Sequence, residues 1–307
     1  MTEQNKIIEP DGVLLVNKHQ GVTSHDVVNK IRRLYNTKKV GHTGTLDPLA
    51  TGVLVILIGR AAKACEYLIC DSKRYLAGLR LGVTTDSQDV TGNVLSTTDH
   101  IPEKEALYDV IPRFRGRIMQ TPPMYSALKV NGKKLVDLAR QGITVERQPR
   151  EIEIFSLDAQ HTESPADYHL DVKCSGGTYI RTLCADIGAA LGCGGIMTSL
   201  KRTEISGFSI QNAYTVEALE QMSLEERLTL LRPTESLFAD LPAIKLPAFY
   251  EKLCRSGCEI YLSKIHLDFP IGTRVRLCSA DGRFFAIGDV MEFPNGNAVK
   301  SIKTFLL

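Results

Sequence analysis

The chain has 307 residues, enough for one large domain and a small second one. Hydrophobic residues make up 43% and charged residues 23%, the balance of an ordinary globular protein. No apolar run approaches the roughly 18 residues that span a membrane, and the net charge of +2 does not by itself mark a nucleic-acid binder.

The N-terminal stretch MTEQNKIIEPDG is polar and acidic, unlike a signal or transit peptide, so a cytoplasmic location is expected. The eight cysteines (65, 70, 174, 184, 193, 254, 258 and 278) contain no C-x-x-C pair, and the seven histidines form no H-E-x-x-H pattern. Reduced, buried thiols and no metal site are therefore expected.

Val13 to Asn17 reads as a strand. Ser24 is the expected cap of a helix whose apolar face is Val27, Val28, Ile31, Leu34 and Tyr35. A glycine-rich loop follows and runs into the continuous apolar strand Val53 to Ile58. A short helix is expected near Ala61 to Leu68. Next comes a half-buried strand on which Tyr75, Ala77, Leu79, Leu81 and Val83 alternate with smaller or polar residues. TTDSQDVTGN reads as a polar connection, Pro102 to Phe114 as a helix, and residues 133–141 as a short helix ended by Gly142. Ile152 to Leu157 and Tyr168 to Cys174 read as strands. Gly176-Gly177 opens a helix with Ile180, Leu183, Cys184, Ile187 and Leu191 on one face, and Val216 to Leu231 reads as one further helix.

Strands and helices alternate without a βαβ rhythm, which predicts a mixed α/β (α+β) fold. A boundary is expected near Asp240, giving a first domain over 1–239 and a second over 240–307. The second carries one helix around Phe249 to Ser256 and a hairpin turning at Asp281-Gly282.

The chemistry points to Lys39–Gly59. Gly41, Gly44 and Gly52 allow tight turns and close backbone approach to a ligand. Pro48 keeps Asp47 out of the helical region, so its carboxylate sits on turn or extended backbone above a rigid strand. From Thr121 to Arg150 six bases (Lys129, Lys133, Lys134, Arg140, Arg147 and Arg150) face two acids, a local excess of four positive charges suited to phosphate.

The string GHTGTLDPLATGVL closely resembles the catalytic motif of the TruB family of pseudouridine synthases. The resemblance extends through DGVLLVNKHQGVTSHDVV, KRYLAGLRLGVTTDSQDVTG, QTPPMYSALKVNGKKLVDLARQG, SGGTYIRTLCADIG and GGIMTSLKRTEISGF. It covers nearly the whole chain from about residue 10. It implies a bacterial stand-alone enzyme that isomerises the T-loop uridine at position 55 of transfer RNA without cofactor or metal. It also implies a catalytic domain on a mostly antiparallel sheet with flanking helices, followed by a small β-rich PUA-like pseudo-barrel. A monomer with no obligate protein partner and no membrane association is implied as well.

By the same resemblance, Asp47 is the reacting carboxylate. Arg181 pairs with it in a bidentate fork. Tyr75 stacks on the target uracil and moves a proton. Tyr179 and Leu200 wall the base, Lys18 belongs to the substrate-binding set, and His42 fills the gap left by the flipped nucleotide. The basic insertion of about 124–150, with Lys129, Lys133, Lys134 and Arg140, folds over the T loop and is mobile without RNA. The tail holds the acceptor stem. One departure lies in the insertion, where Leu135-Val136 stands in place of an expected aromatic after the leucine.

Attack at C6, attack at C1′ and a glycal route all remain open. So do two other functions: guide-RNA-dependent pseudouridine synthesis, and a transfer-RNA-folding chaperone with secondary isomerase activity.

Overall fold

The computed structural model describes residues 9–68, 72–130 and 132–305. Cys70 lies outside them. In chain order the first half contains β1 (Gly12–Lys18), α1 (Ser24–Leu34), β2 (Val40–His42), β3 (Thr51–Ile58), β4 (Lys73–Leu81), β5 (Val83–Thr85), β6 (Val94–Thr97), α2 (Lys104–Val110), β7 (Gly116–Gln120), β8 (Lys129–Val130), β9 (Lys133–Lys134) and α3 (Leu135–Ala139). The second half contains β10 (Arg150–His161), β11 (Asp167–Cys174), α4 (Ile180–Ala190), β12 (Gly195–Ile205), β13 (Phe208–Ser209), β14 (Tyr214–Thr215), α5 (Val216–Gln221), α6 (Leu224–Thr229), β15 (Ala243–Leu246), α7 (Ala248–Arg255), β16 (Ile260–Tyr261), β17 (Arg274–Ser279), β18 (Phe284–Phe293) and β19 (Gly296–Thr304).

A ten-stranded sheet organises the larger part, in the order β14-β1-β3-β12-β4-β11-β10-β7, with β2 on β3 and β13 on β12. Only the β1/β14 and β3/β12 pairs are parallel, so the sheet is mostly antiparallel, as the resemblance implies. The apolar run of β3 is buried on both faces. Leu54, Ile56 and Ile58 pack with Val27, Val28 and Ile31 of α1, while Val53, Val55 and Leu57 pack with Ala61 and Ile205. On β4, Tyr75, Ala77, Leu79 and Leu81 face a core shared with Leu183 and Ile187 of α4. The opposite face of β4 meets water, where Arg74 and Arg80 each form paired hydrogen bonds to Asp171 and Asp167 of β11.

The C-terminal part is a five-stranded half-barrel, β15-β17-β18-β19-β16, around its own apolar core. Asp281-Gly282 makes the β17–β18 turn, with Gly282 at φ +88°. Phe238, Cys278, Phe284, Ile287 and Phe305 form a further cluster with Ala64, which ties this half-barrel to the main sheet.

Four local expectations need correction. The cap of α1 is Thr23, whose side chain and that of Asp26 form a reciprocal capping box. The 216–231 stretch is two helices, because Ser223 caps a second start with Glu226. Lys133 and Lys134 form strand β9, so the helix starts only at Leu135. Cys65 and Cys258 are exposed, although the other described cysteines are buried. No helix among the described residues is long and apolar enough to cross a membrane.

Candidate active site

The loop between β2 and β3 carries Asp47, and the backbone fixes it on several sides. The Ser24 hydroxyl accepts from the Leu46 amide at 2.8 Å and donates to the Leu46 carbonyl at 3.2 Å. The amides of Ala50 and Gly21 donate to the carbonyls of Asp47 (3.0 Å) and Pro48 (2.9 Å). Ser24 therefore serves the loop, which freed the capping role for Thr23.

Asp47 lines a cleft of about 270 Å³ with Thr45, Leu46, Lys73, Tyr75, Ser126, Ala127, the 177–181 segment and Leu200. Its side chain is 40% exposed, while that of Arg181 is only 6% exposed. The Arg181 Nε lies 3.0 Å from Asp47 Oδ2 and 3.8 Å from Asp89 Oδ2. The two Nη atoms donate to the Ser87 carbonyl (3.1 Å) and the Tyr125 carbonyl (2.8 Å). The pair is thus a single contact rather than the expected bidentate fork, because backbone carbonyls take the rest of the guanidinium.

Asp89 was hidden in what read as a polar connection. It is 5% exposed, and its Oδ1 accepts from the Ser87 hydroxyl (2.8 Å), the Thr91 amide (2.9 Å) and the Thr91 hydroxyl (2.6 Å). Ion pairing on one side and a hydrogen-bonded carboxylate on the other hold the guanidinium in one orientation.

Tyr75 forms a buried wall of the cleft. Burial pushes its phenol up, with Arg202 pulling against the shift, so it is uncharged at neutral pH. Tyr179 and Leu200 also line the cleft. Gln120 of β7, 2% exposed and unremarked in the sequence, brackets Tyr179. Its Oε1 accepts from the Tyr179 amide (2.8 Å) and its Nε2 donates to the Tyr179 carbonyl (3.1 Å). That bracket sets the start of α4 two residues before Arg181.

Lys18 does not line the cleft. Its Nζ is buried and donates to the carbonyls of Val22 (2.8 Å), His19 (3.0 Å) and Pro48 (3.4 Å), bracing the Asp47 loop from behind. Burial pushes it down to about 8, against the raising effect of Asp47. His42 also sits outside the cleft, on β2 opposite Ile56. Burial and the nearby Arg202 lower it, favouring the neutral ring, and its Nδ1 has no hydrogen-bond partner among the described residues. Gly52, at φ +109°, does not approach a ligand: a Cβ there would lie 2.2 Å from the Arg202 carbonyl oxygen, so the glycine admits β12.

Lys129, Lys133, Lys134 and Arg140 are all exposed on the 124–150 insertion. The β8–β9 hairpin and α3 pack on a small core of Met124, Leu135 and Leu138. Its root is anchored through Tyr125 to Arg181 and through Arg147, which donates to the Pro122 carbonyl. No cluster of metal-ligating side chains occurs among the described residues.

A buried arginine holding a half-open carboxylate beside an aromatic wall is a site arranged for a flat polar substrate. Residues 32–180 match the TruB family pseudouridylate synthase N-terminal domain, and residues 181–239 match the tRNA pseudouridylate synthase B C-terminal domain. The tRNA pseudouridine synthase B of Francisella philomiragia is 43% identical over 292 residues, covering 94% of this chain and 93% of the relative. That of Clostridium kluyveri is 42% identical over 300 residues, covering 96% and 100%. Among solved structures, an H/ACA RNP bound to a substrate RNA containing 2′-deoxyuridine superposes with a TM-score of 0.73 at 21% identity, covering 99% of this chain and 88% of that one. That likeness concerns the fold. The chain belongs to the TruB family of pseudouridylate synthases, and is an enzyme of the isomerase class.

Proposed function

We propose that this enzyme converts uridine to pseudouridine in the T loop of transfer RNA, at position 55, with Asp47 as the reacting carboxylate. The observation that carries the reading is the Asp47–Arg181 contact: a partly open carboxylate held at 3.0 Å by an arginine that is itself almost fully buried. The identity of more than 40% to relatives named tRNA pseudouridine synthase B supplies the substrate class.

The reaction breaks the C1′–N1 bond, turns the uracil, and joins C1′ to C5, with the C5 proton leaving. N1, freed from C1′, takes up a proton as C5 loses one, so every heavy atom of the product comes from the substrate and what the protein must supply is position, charge and proton transfer. Asp47 attacks or stabilises the sugar or base, with Arg181 and Asp89 fixing its direction. Tyr75, an uncharged phenol, presents its ring to the uracil against Leu200 and Tyr179. Extracting the uridine from its stack costs a few kcal/mol, and the neutral ring of His42, just upstream of the loop, fills the vacated place. The exposed bases of the insertion meet the phosphates of the T arm, and residues 240–307 hold the acceptor stem.

A stand-alone enzyme acts on unmodified transfer RNA with no guide. Product at the T-loop uridine under those conditions is expected. Product that appears only when a guide RNA is added would overturn the reading in favour of the guide-dependent one.

A further inference from the structure

Arg202 of β12 is 1% exposed and is the bulkiest fully buried side chain among the described residues. Three of its side-chain hydrogen bonds end on main-chain carbonyls, Nε to Val53 (2.8 Å), Nη2 to Gly44 (3.1 Å) and Nη1 to Thr45 (3.5 Å), and the side chain also hydrogen-bonds that of Tyr75. Burying a guanidinium without a carboxylate partner is costly, and an apolar side chain of similar volume would satisfy the core at lower cost.

The surrounding backbone is adapted to it. A register shift between Arg202 and Glu204 alters the facing of β12 at this point. Gly52 gives up its Cβ so that β3 and the Arg202 backbone can touch. The fork then spans from the start of β3 to the loop residues three and two places before Asp47. Tyr75, Lys18 and His42, which surround that loop, all feel its charge.

We propose that Arg202 is a positioning residue for the isomerisation: it clamps the Gly44 and Thr45 carbonyls and so aims the Asp47 carboxylate into the cleft. The inference rests on Asp47 being the reacting group. It assigns the buried cation a task that neither charge alone nor bulk alone performs. Lysine keeps the charge but has no planar fork to reach carbonyls on two segments, and methionine keeps only bulk.

The test is single-turnover pseudouridine formation on unmodified transfer RNA by Arg202→Lys and Arg202→Met, with KM and thermal midpoint measured on the same samples. A displacement of the loop by about 1 Å predicts a rate loss of about a hundredfold in both variants, with KM within about threefold of wild type. A role in stability alone would lower the midpoint and leave the rate at saturation intact. Either variant, folded and within about threefold of the wild-type rate, overturns the proposal.

Asp47→Asn assayed in parallel keeps the two ideas apart. An active Asp47→Asn removes the premise, whereas an inactive one beside an active Arg202→Lys overturns the role of Arg202 alone. Should neither arginine variant fold, the wild-type protein still decides. Nitrogen-detected NMR must then show a restricted, slowly exchanging Arg202 guanidinium, and a freely rotating one overturns the clamp.

Discussion

Replacing Asp89 with asparagine removes one of the two carboxylates flanking Arg181 and changes almost nothing else. The amide oxygen can still accept from Ser87 and Thr91, as Asp89 Oδ1 does at 2.6–2.9 Å. What is lost is the charge 3.8 Å from the Arg181 Nε. At that distance the attraction is about 4 kcal/mol with an effective dielectric near 20, and relief of the Asp89 desolvation returns part of it. A net stability loss of about 1–2 kcal/mol is expected, read as a shift of the urea midpoint with unchanged slope.

Activity should fall further than stability. Arg181 would keep Asp47 and two carbonyls, and its Nε would lose the second of two opposed anchors. A rate loss of about a hundredfold at saturating transfer RNA, with little change in KM, is expected. The reasoning also demands non-additivity: in an Arg181→Met background, Asp89→Asn should cost nothing more in rate. Asp89→Asn with a wild-type rate, or with its full effect in the double variant, would refute the claim that Asp89 acts through Arg181.

Gln120→Met should preserve the fold and remove the bracket on Tyr179, lowering the rate about tenfold while binding stays near wild type. Equal rates would show that α4 is set by its own packing. Asp186, partly buried on α4, is pushed up to about 6 by burial. Its burial cost is absent when the carboxyl is protonated in both states, grows between about pH 4 and 6, and persists above. Discounted for partial exposure, Asp186→Asn should stabilise the protein by about 1–2 kcal/mol at pH 7 and by almost nothing at about pH 3, measured as thermal midpoints. In the insertion, amide exchange should be slow at Met124–Ser126, where Arg181 anchors the root, faster from Lys129 to Arg150, and slowed there by transfer RNA. Protection of residues 129–150 that RNA does not change would remove the insertion from the binding surface.

The Asp47 loop was legible because glycines, a proline and a continuous apolar strand lie together in sequence, and the family string runs through them. Tyr75 sits on a strand with clean alternation, so its inward direction could be read as well. Asp89 could not: it lies among threonines, serine and asparagine, and only the fold brings it behind Arg181 through the Asp89–Met197 bridge. Strand β12 escaped because two register shifts break its alternation, after Met197 and after Arg202. The same irregularity concealed Arg202, which reads as one more surface base beside Lys201. Gln120 gave no signal, since a glutamine ending a half-exposed strand is ordinary until Tyr179 is placed against it. Lys18 was expected among the substrate-binding residues, but its length lets it fold back onto Val22 and Pro48 rather than reach the cleft.

The central claim is that Asp47 carries out the isomerisation of a T-loop uridine. Wild type and Asp47→Asn would be incubated with unmodified transfer RNA, with no cofactor and no guide, and pseudouridine mapped by base-specific chemical modification alongside a binding measurement. The account predicts product at the T-loop uridine with wild type only, and comparable binding by both proteins. Product from Asp47→Asn at a similar rate would contradict it.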